Sequence, residues 1–180
     1  REDRLEEVKK LGIKLTFDDF DKAIKQDFDA GIICSPTSLH IKHSTKLAEL
    51  KKHLLIEKPL SSNLEGVKNL KKIIEENNLT TMIAYVFRLT PSIKFVKEKI
   101  EKNEIGKILY LRGEFSEYLP DWHPYEDYRT FYMAKKEEGG GALMDESHGI
   151  DFVRYILGDV KEVFGVVDNI TNLEISSDDV

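Results

Sequence analysis

Residues 53–60 read HLLIEKPL. An apolar run of strand type, His53–Ile56, meets two opposite charges and a proline: Glu57, Lys58 and Pro59. Charges are costly at the end of a buried strand unless they are paired or used. The segments on either side decide which sheet holds this strand, and therefore where Glu57 and Lys58 point.

Upstream, AGIIC (30–34) is a second apolar run, broken by Ser35-Pro36; downstream, TTMIAY (80–85) is a third. Between them lie helical patterns. One starts at Ser38, a good N-cap, and ends near Lys52. The other starts at Ser61 or Ser62 and continues through LEGVKNLKKIIEENN. Before these, REDRLEEVKKLG reads as a helix closed by Gly12, IKLTF as a short strand, and Asp18-Asp19 as the start of a helix reaching about Lys25. Strand and helix alternating at short spacing predict a parallel sheet with helices on both faces. Near-continuous apolar strands fit such a sheet.

After Tyr85 the rhythm changes. Thr90-Pro91 opens a helix to about Lys102, with proline at its favoured first position. KILYLRGEF (107–115) and KEVFGVVDNI (161–170) alternate as strands with one solvated face do. Between them, residues 116–141 form a long irregular stretch, and ALMDESHGIDFVRYIL reads as one helix closed by Gly158. Long loops in compact domains tend to be functional. The division falls near residue 88, giving a segment 1–88 and a segment 89–180.

Composition narrows the function. The net charge of −6 argues against nucleic acid, which needs a basic face. No apolar run is long enough to span a bilayer. The single Cys34 excludes an internal disulfide framework and fits a reducing cytoplasm. The first residues, REDRLEEV, carry no Met and read as the interior of a longer sequence.

Ligands on open parallel sheets sit beyond the carboxyl ends of the strands. Glu57-Lys58-Pro59, Ser35-Pro36-Thr37 and Tyr85 all lie at such ends and converge on one crevice. A lysine fixed there orients a hydroxyl or polarises a carbonyl, with Glu57 partly neutralising it. The bland alternative is a solvated Glu-Lys pair, worth about 0–1 kcal/mol. In GGGALMDESHGID, three glycines allow close backbone approach to a ligand. Asp145 and His148 share a helix face, and Asp151 stands near enough to buttress the imidazole, a good general acid-base arrangement. The alternative is a satisfied core histidine. His40 and His43, three apart, lack a third ligand at metal spacing, so no metal site is expected; they read as a helix start and a surface residue. Tyr118, Trp122, Tyr125, Tyr128 and Tyr132 either line a sugar pocket or fill the space under the long loop.

Together these stretches resemble the glucose–fructose oxidoreductase, inositol dehydrogenase and MocA-like family (Gfo/Idh/MocA). The resemblance rests on DAGIICSPTSLH, IEKPLS, AYVFRLTPSIKFVKEKIEKNEIGKI and GGGALMDESHGIDFVRYILG, in family order. It implies an α/β fold: a partial NAD(P)-binding Rossmann domain, then an α+β domain with an open, mostly antiparallel sheet. That second domain carries the substrate and often mediates homo-oligomerisation. The implied activity is NAD(P)-dependent hydride transfer at a hydroxyl or keto carbon of a sugar, sugar derivative or nucleotide-activated sugar, with NAD or NADP as cofactor. Lys58 would be the catalytic lysine, with Asp145 and His148 as the substrate-binding and proton-transfer pair. Ser35, Pro36, Thr37, His40, Glu57, Pro59 and Arg88 would border the cofactor. Tyr85, Trp122 and Tyr128 would face substrate.

The chain departs from the family pattern in having no G-x-G-x-x-G. Arg1 would be a remnant of the loop that reads a 2′-phosphate. The Asp145–His148 gap is three where four is common, so His148 is the firmer match. Two other outcomes stay open: a non-catalytic binding or assembly module, and redox-assisted elimination at a glycosidic bond.

Overall fold

In the computed structural model, residues 2–180 are described, with side chains from Arg4 onward. Arg1 lies outside them. Helix α1 (Glu2–Lys10) ends as expected before Gly12, whose φ is +87°. Helix α2 (Phe20–Ala23) is only one turn, started by Asp19, whose carboxylate accepts from the Lys22 amide. The IKLTF segment forms no strand among the described residues.

Three strands build a parallel sheet in chain order: β1 (Ala30–Ile33), β2 (His53–Ile56) and β3 (Thr81–Ile83). The register aligns Ile33 with Ile56 and Ile56 with Ile83. Helix α3 (His40–Glu49) returns the chain from β1 to β2, and α4 (Val67–Glu76) returns it from β2 to β3. His40, Ser44, Leu47 and Ala48 of α3 are buried, a spacing of four, three and one that keeps them on one helix face. From α4, Leu70 is buried with Ile73 and Ile74 packed beside it. These side chains close a core over Ile33, Leu54 and Ile56. Each fully buried Ile or Leu contributes roughly 1.5–3 kcal/mol.

Only one sheet face is covered among the described residues. The opposite row, Ile32–Leu55–Met82, leaves Ile32 at 70% and Met82 at 40% exposure. The expected helices on both faces are therefore reduced to one layer. Helix α4 also begins later than Ser61 or Ser62: residues 61–66 turn first, and Gly66 enters the helix with φ +72°.

Beyond β3, residues 86–89 make a 3-10 turn, and α5 (Pro91–Glu101) starts on Pro91 as predicted. A single turn, α6 (Leu119–Trp122), interrupts the irregular stretch. The expected helix 142–157 is two: α7 (Ala142–Asp145) and α8 (Ser147–Leu157), parted at Glu146. Residues 107–115 and 161–170 are not strands among the described residues, so the mostly antiparallel sheet is not seen and the sheet that forms is parallel. An alternating segment becomes a strand only when a neighbour takes its backbone hydrogen bonds. Among the described residues of these two segments only Asp168 exchanges backbone hydrogen bonds with another part of the chain, Asp179 and Val180, too short a pairing to make a strand, and Leu109, Val163 and Phe164 stay 86%, 85% and 96% exposed.

No described helix is long and apolar enough to cross a membrane. Among the described residues, no group of three or more His, Cys, Asp or Glu is placed to hold a metal ion.

Candidate active site

Parallel strands end together, so their following loops gather on one edge of the sheet. The β1 loop brings Cys34, Ser35, Pro36 and Thr37; the β2 loop brings Glu57 and Lys58. With His40 and Tyr132 these line a cavity of about 290 Å³. The sheet ladder runs to its rim, where the Glu57 amide donates to Ile33 O (2.9 Å) and the Ala84 amide to Ile56 O (2.8 Å). The Lys58–Pro59 peptide is cis.

His40 ties the two loops together. It is 1% exposed, and its ring spans the carbonyl oxygens of Pro59 (Nδ1, 2.8 Å) and Ser35 (Nε2, 2.8 Å). It starts α3, as its sequence position suggested. His43, expected at the surface, instead stacks on Phe20 with ring centres 4.1 Å apart and hydrogen-bonds Ser35 Oγ (3.1 Å).

The charges of the opening stretch are not paired with each other. Successive side chains of an extended segment point opposite ways. Glu57 accepts from the Lys58 amide (3.2 Å), while the Lys58 ammonium turns toward α7. It donates to the Asp145 carbonyl at 2.6 Å and to Asp145 Oδ1 at 2.9 Å. The two side chains are 15% and 8% exposed, so this is a buried ion pair bridging segments 87 residues apart. The same Oδ1 accepts from the Tyr132 hydroxyl at 3.0 Å. Asp145 Oδ2 is buried without a hydrogen-bond partner among the described residues, and so is His148 Nδ1.

His148, one turn further on α8, lies against Tyr85 (edge-on, 5.8 Å between centres) and Phe87 (4.7 Å). Burial first, and the nearby Lys58 charge second, hold its pKa below the usual value. Its imidazole is therefore neutral near pH 7 and able to accept a proton. Burial and then Asp145 raise the neighbouring Glu146 carboxyl.

Asp151 does not buttress His148. Both its oxygens take the Arg88 guanidinium, Nε–Oδ2 at 2.8 Å and Nη2–Oδ1 at 2.5 Å. The planar fork of arginine suits such two-point pairing. Arg88, expected beside the cofactor, is thus bound to α8, and its guanidinium also lies over the Tyr155 ring at 5.3 Å. The glycine run serves the protein's own packing. A Cβ on Gly139 would meet Thr37 Cβ at 2.9 Å and the Ser38 amide nitrogen at 3.0 Å, so it is protein, not ligand, that needs the close approach.

A second cavity, of about 740 Å³, is lined in part by Trp122, Asp145, Glu146, Gly149 and Val153. Lys58 lines the smaller cavity and Asp145 the larger, so their ion pair stands between the two. Trp122 belongs to the larger. Tyr128 is not brought to this group; its hydroxyl accepts from the Glu174 amide (3.2 Å). Two contributors escaped the sequence reading. Tyr132 was one aromatic among five, with nothing to set it apart. Asp178 caps α7 by accepting from the Leu143 amide (2.9 Å), across 35 residues.

The strand-end crevice suits a nicotinamide nucleotide. Ser35, Pro36 and Thr37 line it together with His40, Glu57 and Tyr132, and its half-buried Lys58 is hydrogen-bonded to Asp145, whose Oδ2 is buried without a partner among the described residues.

Comparisons with known proteins agree. The oxidoreductase family with NAD-binding Rossmann fold matches residues 1–85, and the Gfo/Idh/MocA C-terminal domain matches residues 93–180. Levoglucosan dehydrogenase of Pseudarthrobacter phenanthrenivorans is 32% identical over 166 residues, 90% of this chain and 42% of the relative. Myo-inositol 2-dehydrogenase of Thermotoga maritima is 36% identical over 171 residues, 91% of this chain and 47% of the relative. A solved levoglucosan dehydrogenase in complex with NADH and levoglucosan is 29% identical with a TM-score of 0.71, covering 86% of this chain and 42% of that one. The chain spans less than half the length of these relatives.

Proposed function

Since this chain belongs to the Gfo/Idh/MocA oxidoreductase family, with an NAD-binding Rossmann fold in its N-terminal half, we propose that it is the catalytic part of an NAD(P)-dependent dehydrogenase acting on a sugar or sugar derivative. The observation that carries this reading is the buried Lys58–Asp145 pair with His148 one helical turn away, set between two cavities. The bound nicotinamide would supply the hydride acceptor or donor. Lys58 has three N–H groups and gives two to Asp145, leaving one for a substrate hydroxyl. Its positive charge favours the alkoxide character that develops as the hydride leaves carbon. His148, held neutral by burial, takes the hydroxyl proton. Asp145 holds Lys58 in place through its two hydrogen bonds.

Ser35, Pro36, Thr37, Glu57 and Pro59 border the cofactor in this reading, and Tyr85 and Trp122 the substrate. His40 supports both cofactor loops from beneath. The domain division stays near residue 88. An open, mostly antiparallel sheet built from 107–115 and 161–170, with self-association through it, belongs to the same proposal; the exposed Leu109, Tyr110, Val163 and Phe164 support it. The free Cys34 supports a cytoplasmic setting. Levoglucosan and inositol, named for the relatives, head the substrate panel, with nucleotide-activated sugars after them.

The test is turnover of that panel with NAD and with NADP, followed at the NADH absorbance band. In the intact enzyme, Lys58→Met should collapse turnover and leave cofactor affinity nearly unchanged. Full turnover by that variant would remove Lys58 from the chemistry.

A further inference from the structure

Tyr132 sits in a short turn, residues 132–134, of the irregular stretch. It is far in sequence from β1 and β2, yet it lines the smaller cavity beside Ser35, Thr37, Glu57 and Lys58. Its hydroxyl donates to Asp145 Oδ1, the oxygen that also accepts from Lys58. Burial, and after it the Asp145 charge, push its ionisation well above the usual tyrosine range. The group is therefore a phenol, and a donor, near neutral pH.

Asp145 shows what such a donor does. The residue is 7% exposed, Oδ1 has two donors and Oδ2 has none. A carboxylate held by one flexible lysine alone would follow that lysine as it moved. A second donor on a rigid ring fixes the carboxylate independently. When Lys58 turns an N–H toward a substrate hydroxyl, Oδ1 still keeps a partner, so the desolvated charge is not left bare.

We infer that Tyr132 is a positioning residue of this centre: its hydroxyl fixes the Asp145 carboxylate, and through it the Lys58 ammonium, at the crevice. The effect on turnover rests on the enzyme reading above; the bond itself does not.

The experiment compares Y132F, D145A, the double variant Y132F/D145A and K58M, each checked by circular dichroism for retained fold. The first readout is thermal unfolding of the 180-residue chain, which needs no substrate. Y132F and D145A should each lower the midpoint, and the double variant should melt close to D145A, because one shared bond can be lost only once. Strictly additive lowering overturns the bond. The second readout is turnover by the intact enzyme. Y132F should cut kcat about 10- to 100-fold, the worth of one hydrogen bond to a charged group, with KM for the cofactor unmoved. It should add nothing in the D145A background, whereas a ring that merely fills space would cost the same in both. Full turnover by Y132F while K58M is dead overturns the positioning role and spares the enzyme reading. Full turnover by K58M overturns the enzyme reading and the positioning role with it, and the thermal cycle then shows whether the bond nonetheless exists.

Discussion

Lys58→Met should destabilise this chain more than removing both members of the ion pair. Lys58 and Asp145 are 15% and 8% exposed at their side chains, and Lys58 supplies two short hydrogen bonds, of 2.6 and 2.9 Å. Removing the cation leaves Asp145 buried, charged and without its counter-ion, which in comparable sites costs about 3–5 kcal/mol. Tyr132 still donates to Oδ1, so the expected loss is at the lower end, about 3 kcal/mol. For a chain of this size, about 1 kcal/mol shifts the melting midpoint by 2–4 °C, so K58M should melt roughly 6–12 °C lower. The double variant K58M/D145N has no buried charge at this point, and the amide oxygen that replaces the carboxylate keeps the Tyr132 bond. It should recover most of the loss and melt above K58M. The assay is thermal unfolding by circular dichroism at neutral pH, with urea titration as a check. A K58M chain that melts with the parent, or a double variant that melts below K58M, would refute the view of this pair as desolvated and mutually dependent.

Three further outcomes follow from other contacts. Arg88→Lys removes the two-point fork on Asp151 and should cost about 1–2 kcal/mol in urea unfolding, partly restored by exchanging the two charges between the positions. Gly139→Ala should be much worse than Gly106→Ala. Both glycines have positive φ, which costs an alanine about 1 kcal/mol or more, but only Gly139 faces Thr37 Cβ and the Ser38 nitrogen within 3.0 Å, while Gly106 faces open space. Comparable melting points for the two alanine variants would contradict that packing. Finally, His148 has its folded pKa below the unfolded value, so the native state binds fewer protons than the unfolded chain. Its contribution is whole above about pH 6.5 and is lost as pH falls below that toward the folded value. His148→Gln should flatten the acid side of the stability profile, and His43, shifted the same way by burial, needs its own variant as control.

What the sequence disclosed was what local pattern controls. AGIIC, HLLI and TTMIAY announced themselves as strands by apolar runs bounded by breakers, and their parallel order followed from the helices between them. Pro91 at the head of α5 and Gly12 after α1 were equally plain. The strand-end position of Lys58 was legible for the same reason. Its partner was not: Glu57 is adjacent in sequence, but Asp145 lies 87 residues away, and only the packing of α7 against the β2 loop brings the two together. Asp151 was misjudged similarly. Helical spacing put it near His148, yet a guanidinium 63 residues upstream outcompetes an imidazole for its carboxylate. The break at Glu146 has no proline to mark it, and segments 107–115 and 161–170, of which only Asp168 finds a backbone partner among the described residues, show that alternation states a preference which only a neighbouring strand can satisfy.

His40 changes how mobility in this crevice should be pictured. The Ser35 and Pro59 loops hang from opposite sides of one imidazole ring. Two walls joined by a rigid spacer do not breathe separately; a displacement of one is handed to the other through the ring. Whatever presses on the β1 loop is therefore felt at Lys58, the residue before Pro59, without any change in the strands between them. The crevice behaves as a hinged clip with one pin, and drift at that pin would blur the distance on which Lys58 depends.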